Sequence, residues 1–361
     1  MRLTLPTPGL RLALLAEGAR LLGIYCVTAL TGYVFWRVGA PLPWMIGPLV
    51  AAAAMSMSGI TLRIPVKTRP FGQIVIATSV GFFFTPHAVE AALDSLPILL
   101  GSAVMTAILG YATSVLLARF TGLDRISAFL ASVPNGPVEM ANLAHHYGRD
   151  PGPIAFAQTL RITAIVVFVP IVIYMIHGQF ERPTSFEPAP FRPLALVLVA
   201  CVGYFAARVG KLVRLSNPYF LGPLAFSAAL TAFDVPLAHY PVPMLWGAQV
   251  LLGTWLGATF RRELLERAGQ LVLVLFLTTI LFIAVCTIGA ASLALVVDMP
   301  WESLVLGSAP GGVTEMALTA SVLGQDVALI TAFHLIRIFL IMPNIPWVIA
   351  RIHKAHPEKG T

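Results

Sequence analysis

The chain has 361 residues, of which 58% are hydrophobic and only 11% charged, and its mean hydropathy is +0.85. A soluble enzyme of this length would carry about twice that charge, so the composition argues against a soluble protein and indicates a polytopic membrane protein. The net charge of +7 is expected to come from cytoplasmic loops, with nucleic-acid binding as the weaker reading. The three cysteines lie inside apolar runs, which predicts neither a disulfide nor a cysteine metal site.

Ten apolar runs are long enough, or nearly long enough, to span a bilayer. They form two series of five, at 21–35, 44–60, 71–85, 96–120 and 154–176, and then at 194–207, 219–232, 244–260, 271–297 and 327–349. Two further apolar segments, 127–147 and 303–323, are interrupted by Pro and Gly. Non-helical backbone at membrane depth needs partners from protein or a watery cavity, so these two segments are predicted to face the interior.

The two series are copies of each other. "SVPNGPVEMANLAHHYGRDPGPIAFAQTLRI" from Ser132 aligns without a gap on "SAPGGVTEMALTASVLGQDVALITAFHLIRI" from Ser308. The alignment pairs two glutamates and two arginines among other identities, and weaker matches continue upstream. The chain is therefore interpreted as a tandem duplication, and the predicted organisation is an N-terminal cytoplasmic segment 1–19, membrane repeats 20–180 and 194–350, a Pro-rich linker 181–193 and a cytoplasmic tail 351–361.

The orientation of the halves follows from where basic residues fall, because cytoplasmic loops collect Lys and Arg. If the broken segments cross the membrane, the two faces hold 13 and 8 basic residues; if they enter and return on one side, the faces hold 18 and 3. The second split predicts an all-α protein of two inverted repeats, each with about five transmembrane helices and one re-entrant or broken helix, and with both termini cytoplasmic. A crossing broken helix stays open as an alternative.

Inverted repeats would bring the two broken segments together near the midplane, which is the geometry of an alternating-access transporter. Exposed helix N-termini offer amide donors to an anion, and unwound carbonyls can hold a cation. The candidate substrate or ion site consists of the two turns, the repeated charged residues and one repeated glutamine in each half: Ser132, Pro134, Asn135, Gly136, Glu139, Arg161, Ser308, Pro310, Gly311, Gly312, Glu315, Arg337, Gln73 and Gln249.

Each of these positions has a structural alternative. Glu139 and Glu315 can take up a coupling proton, coordinate a cation such as Na⁺, or cap amides and pair with an arginine. For Arg161 and Arg337, a structural ion pair and an anion-binding role are both open.

The serines can bond back to their own helices, and the glutamines can form interhelical hydrogen bonds. His145, His146 and His334 lack the spacing of a metal site.

No nucleotide-binding loop, dinucleotide fingerprint or catalytic constellation is present in the sequence, so neither catalysis nor a cofactor is predicted. The sequence instead favours an ion-coupled secondary transporter of a small anionic or zwitterionic solute. The expected partners are the solute or ion and the lipid bilayer, without nucleic acid; a homodimer is left open.

The stretches "PLPWMIGP", "PNGPVEMA" and "PGGVTEMA" resemble the AbrB family of bacterial membrane proteins, whose members are known for an internal duplication. The resemblance covers about residues 20 to 350 and implies a location in the bacterial cytoplasmic (inner) membrane. Family members have been labelled as regulators of gene expression and as ammonia monooxygenases. These labels give two further hypotheses, a membrane sensor that acts on gene expression indirectly and, third, a membrane monooxygenase.

Overall fold

The computed structural model describes residues 8–60, 62, 64–65, 68–177, 193–235, 239–260 and 262–355. These residues form helices and no strand, which confirms the all-α prediction. Residues 1–7, 178–192 and 356–361 lie outside them, so all of the predicted linker 181–193 except Pro193 is outside the described residues. The helices are α1 Pro8–Arg37, α2 Pro43–Met57, α3 Thr68–Gly81, α4 Pro86–Asp94, α5 Leu96–Thr121, α6 Arg125–Ser132, α7 Pro137–His146, α8 Pro151–His177, α9 Pro193–Leu212, α10 Pro218–Ala232, α11 Val242–Gly257, α12 Arg262–Ala294, α13 Trp301–Ser308, α14 Val313–Val322 and α15 Val327–Ala355.

Every predicted span coincides with a helix, but the helices differ in length. Among the described residues, five stretches are long and apolar enough to cross a bilayer: Ala16–Arg37, Leu96–Thr121, Pro151–Ile173, Gly269–Ala294 and Val327–Lys354. The other five predicted spans are α2, α3, α9, α10 and α11, of 14 to 20 residues. At 1.5 Å per residue the shortest spans only about 21 Å, less than the roughly 30 Å hydrocarbon core. The structure thus agrees with a polytopic helical protein in which several spans are short.

Helix α4 is an element that the sequence does not predict separately. It starts at Pro86, and Thr85 before it accepts a hydrogen bond from the Ala88 amide at 3.2 Å as an N-cap. The chain bends by 88° between α3 and α4, so the pair is either one broken span or a re-entrant segment.

The outer surfaces of the long helices are apolar. On α5, Ile108 and Phe120 are 62% and 53% exposed, and on α12 Leu273 and Ile288 are 58% and 66% exposed. Rows of large exposed hydrophobic side chains are expected where lipid rather than water is the solvent.

The halves exchange a helix. Helix α3 of the first half packs on α9 and α10 of the second, and α11 of the second half packs on α1 and α2 of the first. The Trp44 ring of α2 stacks on Trp246 of α11 with centroids 4.9 Å apart, and Thr254 Oγ1 donates to Thr28 Oγ1 at 3.0 Å. Each of these three-helix groups therefore contains helices from both copies of the duplicated sequence.

The remaining long helices surround the two broken segments. Helices α5, α8 and α15 contact α6 of the first broken segment, and α12 and α15 contact α13 of the second. Helix α3 contacts α14 and α15. The larger buried apolar cluster includes residues of α3 and α11 and of the broken helices α13 and α14. It therefore joins the exchanged helices to the second broken segment.

Candidate functional site

Both predicted breaks are present, and proline produces them. Helix α6 ends at Ser132 because Pro134 disfavours helical backbone at the residue before it, and Val133 is extended at φ −67°, ψ 127°. The copy behaves alike: Ala309, which precedes Pro310, has φ −55° and ψ 134°. Helices α7 and α14 then start on the far side of each turn.

Side chains from the following long helix complete the backbone of each break. Gln158 Nε2 on α8 donates to the carbonyls of Leu130 and Val133 at 2.7 and 2.9 Å. In a continuous helix these two carbonyls would accept from residues 134 and 137, which are both prolines without an N–H. Gln158 therefore replaces the two hydrogen bonds that the prolines remove.

The second half uses a different side chain for the same purpose. His334 on α15 is fully buried, and its Nε2 lies 3.0 Å from the Leu306 carbonyl. The alignment of the two halves pairs His334 with Gln158 and Leu306 with Leu130, and residue 310 is again a proline. A carbonyl only accepts, so Nε2 carries the proton.

Arg161 connects the two breaks. Its Nη1 donates to the Ser132 carbonyl at 2.7 Å, and its Nε donates to the Pro310 carbonyl of the other half at 2.9 Å. Its Nη2 is hydrogen-bonded to Gln158 Oε1. One buried guanidinium group therefore holds together two turns that are far apart in sequence.

Arg337 stays within its own half. Nη1 and Nη2 donate to the carbonyls of Ala309 and Gly311, each at 2.6 Å, while its Nε is buried with no partner among the described residues. Both arginines donate their hydrogen bonds to backbone carbonyls and to the side-chain amide oxygen of Gln158. Neither Glu139 nor Glu315 is an acceptor of these hydrogen bonds.

The two glutamates fold back onto their own helix starts. A Cβ at Gly136 would overlap Glu139 Oε2, and a Cβ at Gly312 would overlap Glu315 Oε2, so glycine leaves the room that each carboxylate occupies. Each glutamate is the third residue of its helix, the position from which a Glu side chain can reach back toward the N-cap. The Gly136 amide donates to Asn135 Oδ1, and Glu139 Oε2 is buried with no hydrogen-bond partner among the described residues, so that oxygen does not cap the helix.

A basic residue on α3 lies within electrostatic range of both carboxylates. Arg69 interacts electrostatically with Glu139 and with Glu315, and the two glutamates also interact with each other. The Arg69 guanidinium carbon lies 4.3 Å from the ring centre of Trp255 on α11. The exchanged helices α3 and α11 therefore border the region where the two broken segments meet.

The predicted glutamines lie where α3 and α11 cross. A Cβ at Gly72 would come within 3.0 Å of the Ala248 carbonyl, so glycine permits the close approach. These two positions are equivalent in the duplication, and Gln73 and Gln249 follow them, 3% and 6% exposed.

The other polar residues of the turns differ between the halves. Ser308 Oγ donates to the Leu304 carbonyl of its own helix, whereas Ser132 Oγ is buried without a partner among the described residues. Asn135 Oδ1 accepts from the Gly136 amide at 2.8 Å, and its Nδ2 is a buried donor without a described partner.

Three contributors are missing from the set predicted from the sequence. Gln158 could have been found as the polar counterpart of His334, three residues before the repeated arginine. In the sequence His334 is notable only among the histidines that lack the spacing of a metal site, and its bond to the Leu306 carbonyl is visible only in the structure. Arg69 falls in a predicted loop and gives no signal of its own.

Comparison with known proteins gives one family and two relatives. The family model described as "Transition state regulatory protein AbrB" matches residues 44–353. The protein named "Putative regulator AbrB" in Escherichia coli K12 is 26% identical over 341 residues, covering 94% of this chain and 98% of the relative. "Uncharacterized protein YhjN" of Bacillus subtilis 168 is 22% identical over 366 residues, covering 92% of this chain and 93% of the relative.

Proposed function

This chain belongs to the AbrB family, and from that premise we propose that it is an ion-coupled secondary transporter of a small anionic or zwitterionic solute. The observation that carries the proposal is the hydrogen bonding of Arg161, which joins the Ser132 carbonyl of one broken helix to the Pro310 carbonyl of the other. Two broken helices, one from each copy of a duplicated sequence, that meet inside a bundle are the common form of a transporter binding site.

The proposed ion site is the pair of carboxylates. Glu139 and Glu315 stand at the starts of α7 and α14, and both are within electrostatic range of Arg69. A carboxyl group can exchange a proton, and an ionised one can bind Na⁺ together with unwound carbonyls. Because Glu315 is within electrostatic range of Glu139, an ion bound at Glu139 changes the field at Glu315.

The proposed solute site uses buried hydrogen-bond donors that have no acceptor among the described residues. Asn135 Nδ2 in the first break and Arg337 Nε beside the second are buried and have no partner within the described residues. Buried donors are costly unless paired. Because both are donors and one belongs to a cation, an anionic group on the solute suits them.

We further propose that the halves are inverted and that access alternates between the two faces. The 18-to-3 distribution of basic residues between the two membrane faces supports the inverted orientation. Contacts between equivalent positions of the two copies, such as Gly72 with Ala248, support a pseudo-two-fold axis between the halves. The location that follows is the bacterial cytoplasmic membrane with both termini cytoplasmic.

The experiment uses the full chain in proteoliposomes. Amino and carboxylic acids are first screened for thermal stabilisation of the purified protein. The solute that raises Tm most is then supplied outside the proteoliposomes. Its uptake, the pH inside the vesicles and the dependence of uptake on Na⁺ are recorded. Glu139→Gln with Glu315→Gln is expected to abolish coupled uptake, whereas the exposed Glu90→Gln on α4 serves as the matched control. Ion-dependent uptake that survives the double substitution would contradict the coupling role.

A membrane regulator is the second candidate, favoured by the printed name of the E. coli relative. A regulator of this kind binds a ligand without moving it across the membrane. Thermal stabilisation by one ligand, with no uptake of any solute tested, would favour this candidate. A change in gene expression that persists in the double glutamine variant would favour it further.

A further inference from the structure

A groove with a volume of about 920 Å³ lies between α5, α6 and α15 and reaches the first break at Val133. Its walls are mainly apolar and aromatic and include Tyr111, Phe129 and Trp347. Arg119, Arg125 and Arg351 also line it, at the ends of α5 and α15 and at the start of α6. The groove therefore combines a long apolar surface with a cluster of cations.

The lining of the groove carries more positive than negative charge. Asp124 is the acidic residue that lines it, and its carboxylate caps α6 by accepting from the amides of Ile126 and Ser127 at 3.1 and 3.0 Å. The same carboxylate lies 3.6 Å from Arg149, a further cation. Because three arginines line the groove with one aspartate, its basic end has a net positive charge.

The groove opens toward the lipid-facing surface. Ile108 of its wall is 62% exposed, and Phe120 and Phe339, which neighbour the lining residues on α5 and α15, are 53% and 58% exposed. The Arg351 guanidinium carbon stacks 4.2 Å from the ring centre of Trp347, and aromatic and basic residues together are typical of the membrane–water interface.

The other half of the molecule does not repeat the cationic cluster. The alignment of the two halves places Trp301 opposite Arg125, each at the start of a broken segment, and Met175 opposite Arg351, near the ends of the equivalent helices α8 and α15. The fold alone therefore does not require arginine at these positions.

We propose that this groove binds an anionic phospholipid, with the phosphate between Arg119, Arg125 and Arg351 and an acyl chain along α5 and α15. Basic pockets between transmembrane helices on the cytoplasmic side bind the headgroups of such lipids, and the basic-residue distribution places this end on that side. A soluble anion would use the arginines but not the apolar walls. Val133 of the first break also lines the groove, so the bound lipid touches the broken helix.

Native mass spectrometry of the full chain tests the proposal, with titration of phosphatidylglycerol, phosphatidylcholine of the same chains, and glycerol phosphate. Arg119→Gln, Arg125→Gln and Arg351→Gln together are expected to weaken phosphatidylglycerol binding by about fivefold per arginine, or on the order of a hundredfold. The control removes three exposed cations at the end of α9 and in the turn after it, Arg208→Gln, Lys211→Gln and Arg214→Gln, and should change binding by less than about threefold.

A second variant fills the apolar part and keeps the arginines. Ala118→Trp projects into the groove and is expected to displace the lipid. Equal binding of phosphatidylcholine, displacement by glycerol phosphate alone, or full binding by Ala118→Trp would each overturn the proposal. If the triple variant does not fold, the lipid comparison on the native chain and Ala118→Trp still decide.

Discussion

Gln158 gives the sharpest test of how the first break is held. Replacing it with Leu keeps a similar volume but leaves the carbonyls of Leu130 and Val133 without the donors at 2.7 and 2.9 Å. The substitution also removes Gln158 Oε1, the acceptor of Arg161 Nη2. Side-chain hydrogen bonds in membrane proteins average about 0.6 kcal/mol, so three give a lower bound of about 2 kcal/mol. Burying three polar groups without partners costs about 3–9 kcal/mol, which sets the upper bound.

The assay is thermal unfolding of the detergent-solubilised protein, followed by tryptophan fluorescence at a fixed scan rate. Gln158→Leu is expected to lower Tm by at least about 2 °C. Gln158→His is the matched control, because His334 bonds the equivalent Leu306 carbonyl in the other half, and it should recover at least half of the loss. An unchanged Tm for Gln158→Leu, or a His variant no better than the Leu variant, would refute the reasoning.

Two further predictions concern the exchanged helices. Gly72→Ala places a Cβ 3.0 Å from the Ala248 carbonyl and should destabilise by about 1–3 kcal/mol, whereas Gly247→Ala meets open space and should be neutral or stabilising by up to about 1 kcal/mol in the same thermal assay. Thr28→Val and Thr254→Val should show a coupling energy of about 0.6–1.7 kcal/mol in a double-mutant cycle, since their hydroxyls are 3.0 Å apart. Additive effects of the two substitutions would show that this contact does not hold α11 against α1.

Much of the local structure was predictable because its causes are local. Apolar runs gave helices at each expected place, and Pro134 and Pro310 ended α6 and α13 by acting on the residue just before them. The repeated Glu139 and Glu315 were identified by the duplication alone. Helix lengths were less predictable, because a short helix such as α3 is stabilised by packing on helices from the other half rather than by its own length.

The partners of the broken backbone could not be read from the sequence. Arg161 stood out as a charge inside an apolar span, but its bond to Pro310 joins residues 149 positions apart, and no local pattern specifies that pairing. Gln158 has no distinguishing pattern in the sequence, because its role depends on the Leu130 and Val133 carbonyls, which lack helical donors and lie within reach of its side chain only in the folded protein. The interaction of Arg69 with both glutamates depends in turn on where α3 lies.

The sequence by itself determined that the chain is helical and apolar, that it is duplicated, and that each copy is broken by proline. These follow from solvent preference and from backbone sterics, which act within a few residues. Only the tertiary structure decided that α3 and α11 change places between the halves and that one arginine closes both turns. The reason is that a buried carbonyl must find a donor wherever the fold supplies one, and in this protein the donors for each break come from α8 and α15.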